Sequence, residues 1–167
     1  MRKRNVISIK VQNVSGVLAH ISGLLASRGY NVDSLTVSAT NDPQFSRMTI
    51  ALNVDDEYVN QVELQLQKLL TVVDTKILSN VPRVERELAL IRVAVEPERR
   101  SGVLELAQIF RAQIVDVAPK SLLIEISGNA EKLDAFLNVL SPYKIVGLTR
   151  SGCIAAPRGD GEVEACE

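Results

Sequence analysis

The apolar residues of this chain switch between a period of two and a period near 3.6 in a fixed order, and that order occurs twice. Residues 5–11 put Ile7, Ile9 and Val11 on one face of a strand. Residues 17–28 then place Val17, Ile21, Leu24 and Arg28 along a helical stripe, with Leu18 and Leu25 beside it and Gly29 as a stop signal. In the next strand, 31–40, Leu35, Val37 and Ala39 alternate with Ser34, Thr36, Ser38 and Thr40, while Val32 is out of phase. A bulge or bend near Asp33 would restore the phase. Asn41-Asp42-Pro43 marks a turn, and Met48, Ile50, Leu52 and Val54 alternate after it. Asp55-Asp56-Glu57 suits a helix start, followed by the stripe Val59, Val62, Leu66 and Leu69 and a strand over 71–78. The order is β-α-β-β-α-β, the split unit of a ferredoxin-like sandwich, in which two helices cover one face of an antiparallel sheet.

The second half repeats this order without a convincing residue-level repeat. A long strand over 84–95 precedes a helix carrying Val103, Leu106, Ile109 and Phe110. Strands at 114–117 and 122–126 flank a turn at Pro119, and a helix over 130–140 turns Leu133, Phe136, Leu137 and Leu140 inward. A strand at 145–151 closes the unit. The expected organisation is an α+β chain of two ferredoxin-like domains, 1–80 and 81–152, with an acidic tail at 153–167 read as disordered. Within 151–167, Arg158 stands against Asp160, Glu162, Glu164 and Glu167.

Composition narrows the function classes. Nineteen basic and 20 acidic residues leave a net charge of −1, which gives no bulk attraction for nucleic acid or a membrane surface. The basic start Met1-Arg2-Lys3-Arg4 is followed by a short strand-like run, so neither a signal peptide nor a membrane span is expected, and a reducing cytoplasm is the simplest location. Cys153 and Cys166 suggest no disulfide framework and no metal spacing, and His20 is the only histidine. No metal site and no catalytic residue is expected.

Asn13-Val14-Ser15-Gly16-Val17-Leu18 joins the first strand to the first helix. It contains no Lys, Arg, His, Cys or acid, so it suits holding a small molecule better than transforming one. A helix start offers backbone N–H groups to a carboxylate, and glycine permits close approach. The bland reading makes Ser15 a helix N-cap and Asn13 a turn residue. Other chemistries on this fold fare worse. A phosphatase of the acylphosphatase type needs an arginine in this loop. An RNA-binding sheet needs aromatic residues on its face, and 5–11 and 47–54 have none. An allosteric small-molecule-binding domain survives.

These residues resemble the small regulatory subunit of acetolactate synthase (acetohydroxyacid synthase). The likeness runs through 13–18, then Arg28-Gly29-Tyr30-Asn31-Val32-Asp33-Ser34-Leu35-Thr36-Val37, Asp42-Pro43 and Arg47-Met48-Thr49-Ile50. It continues through Val84-Glu85-Arg86-Glu87-Leu88, Ile109-Phe110-Arg111-Ala112-Gln113-Ile114-Val115-Asp116-Val117, Lys132-Leu133-Asp134-Ala135-Phe136 and Arg150-Ser151-Gly152. The order and spacing of these stretches carry the specificity.

The resemblance implies an N-terminal ACT domain, a C-terminal domain of related topology, and a non-catalytic chain. Such a chain binds a catalytic large subunit, activates it and confers feedback inhibition by a branched-chain amino acid, usually valine. It also implies thiamine diphosphate, Mg²⁺ and FAD in that partner, with no cofactor in this chain. ACT domains of this kind pair side by side, with effector sites at the dimer interface. The family's effector-holding asparagine and glycine of the first loop match Asn13 and Gly16, and its asparagine at the second strand matches Asn31. Backbone N–H groups from Ser15, Gly16, Val17 and Leu18 then face the carboxylate, the amide oxygens of Asn13 and Asn31 face the ammonium, and Val32 or the partner's helix lines the side-chain pocket. A stand-alone ACT-type sensor acting on another enzyme is the alternative.

Overall fold

A computed structural model describes residues 3–159, the side chains of residues 3 and 56 excepted. The chain divides into two compact units. One runs to Val84 and resumes at Cys153; the other is Glu85–Gly152.

The first unit follows the expected order: β1 (Lys3–Gln12), α1 (Val17–Ser27), β2 (Val32–Ala39), β3 (Phe45–Val54), α2 (Asp56–Leu66) and β4 (Val72–Ile77). Its sheet order is β2-β3-β1-β4, with antiparallel neighbours. Alternation decides which side is buried. Ile7, Ile9 and Val11 of β1 and Met48, Ile50 and Leu52 of β3 meet Val17, Ile21 and Leu25 of α1 and Val59, Val62 and Leu66 of α2 in one core. The buried stripe of α1 therefore runs through Leu25, with Leu24 only partly buried and Arg28 exposed at the helix end. The phase break in β2 is a bulge: Val32 pairs Leu52 and Ser34 pairs Ala51, so Asp33 is the extra residue and Val32 returns to the core side.

The second unit repeats the topology with β5 (Arg83–Ala94), α3 (Arg100–Ile109), β6 (Gln113–Ala118), β7 (Ser121–Gly128), α4 (Ala130–Val139) and β8 (Lys144–Arg150), in sheet order β6-β7-β5-β8. Ala89, Ile91 and Val93 of β5 and Leu122, Ile124 and Ile126 of β7 pack against Val103, Leu133, Phe136 and Leu140. Phe110 and Phe136 meet at 5.1 Å between ring centroids. The guanidinium of Arg150 grips the buried carboxylate of Glu87 with two hydrogen bonds of 2.8 Å and reaches Asp134 at 3.2 Å. The bonds to Glu87 raise its pKa further and keep it charged.

For residues 153–159 the structure corrects the reading of a disordered tail. Ile154–Pro157 forms a strand, β9, that pairs with β5. Ala155, like Val81, packs against Val6, Ala51 and Leu78 on the side of the first sheet that the helices leave open. The apolar run Cys153-Ile154-Ala155-Ala156 is short, and the acids that suggested a solvated tail all follow β9. Residues 160–167 lie outside the described residues, Cys166 among them. The change of unit also falls after Val84, four residues later than the expected boundary at 80.

Candidate functional site

The loop between β1 and α1 is anchored on both sides by backbone. Gln12 N–H donates to Thr71 O at 2.9 Å, and Asn13 N–H donates to Gln44 O at 2.7 Å. The Asn13 side chain adds a third tie, with Nδ2 donating to Pro43 O at 3.0 Å. A carbonyl only accepts, so this contact sets the amide's orientation and leaves Oδ1 turned away from Pro43. The β2–β3 turn that supplies Pro43 is itself held by Gln44 N–H on Asp42 Oδ1 at 2.8 Å and Phe45 N–H on Asp42 O at 3.1 Å. Asn13 is therefore an oriented acceptor on a fixed turn.

Gly16, rather than Ser15, caps α1. Its φ of 88° is left-handed, which an L side chain resists, and a Cβ built there would meet nothing within 4 Å. Backbone conformation thus demands the glycine while the space above it stays open. The first helical bond is His20 N–H to Gly16 O at 3.0 Å. Helix geometry leaves the N–H groups of Val17, Leu18 and Ala19 without a carbonyl in their own helix. No side chain caps them and no acid lies in the first turn, so a carboxylate meets donors and no competing charge there. Val17 is buried in the core and can offer only its amide, whereas Val14 (54% exposed) and Leu18 (47%) present apolar surface beside the loop.

Asn31 and Val32 do not join this cluster within one copy. The turn after α1 ends in paired bonds, Gly29 N–H to Ala26 O at 3.0 Å and Tyr30 N–H to Leu25 O at 3.1 Å, which deliver Asn31 to the start of β2. That start lies opposite Leu52, whereas Gln12 at the end of β1 lies opposite Phe45. At ~3.3 Å per strand residue, the two ends stand roughly 23 Å apart. Asn31 is exposed, and Val32 is half-buried against its own core. The sequence held a signal for this separation: in a β-α-β-β-α-β sheet, β1 and β2 run parallel, so the end of one cannot adjoin the start of the other. The tie from Asn13 to Pro43 joins residues 30 apart and had no local signal.

His20 is exposed, and no three of His, Cys, Asp and Glu among the described residues could hold a metal ion. No helix among the described residues is long and apolar enough to cross a membrane.

Two family models match the chain: one described as an AHAS small subunit-like ACT domain over residues 7–74, and one described as the small subunit of acetolactate synthase over 86–159, through β9. A probable acetolactate synthase small subunit from Archaeoglobus fulgidus is 43% identical, with 94% of this chain and 98% of that protein aligned. The acetolactate synthase isozyme 3 small subunit of Escherichia coli is 40% identical over 94% of this chain and 97% of its own length. The crystal structure of an acetolactate synthase small subunit from Thermotoga maritima superposes with a TM-score of 0.86 at 36% identity, covering 94% of this chain and 98% of that one. Fold and loop thus define an ACT-type domain followed by a second unit of the same topology. The chain belongs to the acetolactate synthase small-subunit family.

Proposed function

We propose that this chain is the non-catalytic regulatory subunit of an acetolactate synthase, which activates a catalytic large subunit and renders it sensitive to feedback inhibition by valine. The thiamine diphosphate, Mg²⁺ and FAD belong to that partner. The observation that carries the reading is the loop itself: an uncapped helix start with outward N–H groups, beside an asparagine whose amide oxygen is held ready to accept.

Valine is a zwitterion with a short branched side chain. Its carboxylate takes the N–H groups from Ser15 to Leu18, and its ammonium takes Oδ1 of Asn13. Hydrogen bonds to charged groups contribute about 1.5–3 kcal/mol each. A few of them suffice for a ligand that binds in the micromolar to millimolar range, about −8 to −4 kcal/mol. The loop alone leaves the valine side chain and part of its ammonium in water, because Asn31 and Val32 lie at the far end of the sheet.

A second copy completes the site. β2 is an edge strand, and Val37 on it is exposed. Antiparallel pairing of two β2 edges about a two-fold axis brings the start of one β2 to the end of the other. Asn31 and Val32 of one copy then approach Asn13 of its mate, whose Pro43 tie sits just beyond the end of β2. Effector binding across that pairing favours one arrangement of the two ACT domains, with a coupling of about 1–3 kcal/mol to the large subunit.

The test is reconstitution. The chain is mixed with its catalytic subunit and acetolactate formation is followed with and without valine. Activation together with valine inhibition is expected. Activity indifferent to the added chain refutes the role, and valine binding by the chain without any effect on the large subunit points instead to a sensor for another enzyme.

A further inference from the structure

We propose that Ser34 and Thr36 are positioning residues that pass the effector state of β2 to the segment rejoining the first unit at Cys153; this rests on the valine reading above. Two hydroxyls on alternate residues of β2 hold the backbone of one residue, Cys153. Cys153 N–H donates to Ser34 Oγ at 3.3 Å, and Thr36 Oγ1 donates to Cys153 O at 2.9 Å. Cys153 is only 2% exposed. From there the chain crosses the open side of the sheet. Ala155 packs on the cluster of Val6 of β1, Ala51 of β3 and Leu78, and Arg158 N–H closes on Pro82 O at 2.9 Å. The segment 153–158 is thus a strap from the β2 edge, across β3 and β1, to the chain that follows β4.

Three features make this strap sensitive to β2. Ser34 directly follows the bulged Asp33, where the strand's twist is most easily changed. Asn31 and Val32, the residues assigned to the effector of the second copy, lie just before that bulge, so a ligand that reorders them acts on the backbone that aims Ser34. The connection to the second unit is also short. Ser151 is fixed to Leu88 by two bonds, its N–H to Leu88 O at 2.9 Å and Leu88 N–H to its Oγ at 3.0 Å. Only Gly152, with a left-handed φ of 82°, separates that anchored residue from the anchored Cys153.

Hydrogen–deuterium exchange on the full-length chain tests this directly. Valine is expected to slow exchange in peptides covering 13–18 and also to shift exchange over 153–158, by roughly fivefold or more. In Thr36→Val and Ser34→Ala the response at 13–18 persists and the response at 153–158 disappears. The free variants bind valine with unchanged calorimetric affinity, but with the catalytic subunit present the inhibition reached at saturating valine falls at least roughly fivefold. A wild-type chain whose 13–18 peptides respond while 153–158 stay unchanged overturns the coupling and leaves the valine reading intact, and this arm needs no variant to fold. Retention of both the strap response and inhibition in the variants overturns it equally. Indifference of every peptide to valine removes the reading and the coupling together.

Discussion

Replacing Asn13 by alanine separates what this residue does for the fold from what it does for a ligand. Within the first unit the change removes one hydrogen bond, the exposed 3.0 Å contact from Nδ2 to Pro43 O. The backbone bond from Asn13 N–H to Gln44 O remains, so the loop keeps its main tether. The stability cost is therefore about 0.5–1 kcal/mol. For a unit of this size that is a fall in Tm of a few degrees, at roughly 4–8 °C per kcal/mol. For valine the loss is larger. Oδ1 is the only side-chain acceptor the loop offers its ammonium, apart from the Ser15 hydroxyl, and a bond to a charged group contributes about 1.5–3 kcal/mol. At 1.4 kcal/mol per tenfold, Kd rises roughly 10- to 100-fold. Isothermal titration of the full-length chain, paired with thermal melts, reads both quantities on one sample. A folded Asn13→Ala chain that binds valine with wild-type affinity refutes the site.

Other outcomes follow from the same geometry. Gly16→Ala adds a Cβ that touches nothing but must adopt a φ of 88°, so thermal melts are expected to show a loss of about 1 kcal/mol, and calorimetry a larger loss in valine affinity because the new methyl occupies the ligand's approach. Arg150→Met strands the Glu87 carboxylate, only 8% exposed, and urea denaturation should report a loss of about 3 kcal/mol, recovered in large part by adding Glu87→Gln. Ending the chain after Gly152 removes the strap and uncovers Val6, Ala51, Leu78 and Val81, and the stability of the first unit in thermal melts should fall by about 2 kcal/mol.

The sequence made the two β-α-β-β-α-β units legible because each element carries its own period, and even the phase slip at Val32 located the bulge at Asp33. The loop stood out as a candidate for a chemical reason: it is an uncharged turn with glycine before an apolar helix stripe. Two parts were hidden. Asn13 owes its orientation to Pro43, on a turn brought beside it only by the pairing of β1 with β3. The strap was hidden because Cys153 and Ala155 are small, and because the hydroxyl face they cover reads as a solvated one. Ser8 and Thr49 alternate as polar residues should on an exposed face, yet both are buried. Ser15 shows the reverse error: its residue type fits an N-cap, but the left-handed conformation at the next position gives that place to Gly16.

The central claim is that the loop is half of an effector site whose other half lies on a second copy, and mixed dimers test it most directly. Asn13→Ala and Asn31→Ala chains each form homodimers in which both sites are damaged. A dimer of one with the other contains one doubly damaged site and one site built from wild-type Asn13 and wild-type Asn31. Calorimetry on that mixed dimer should recover valine binding of wild-type affinity at one site per dimer. A mixed dimer that binds valine no better than either homodimer contradicts a site shared between copies.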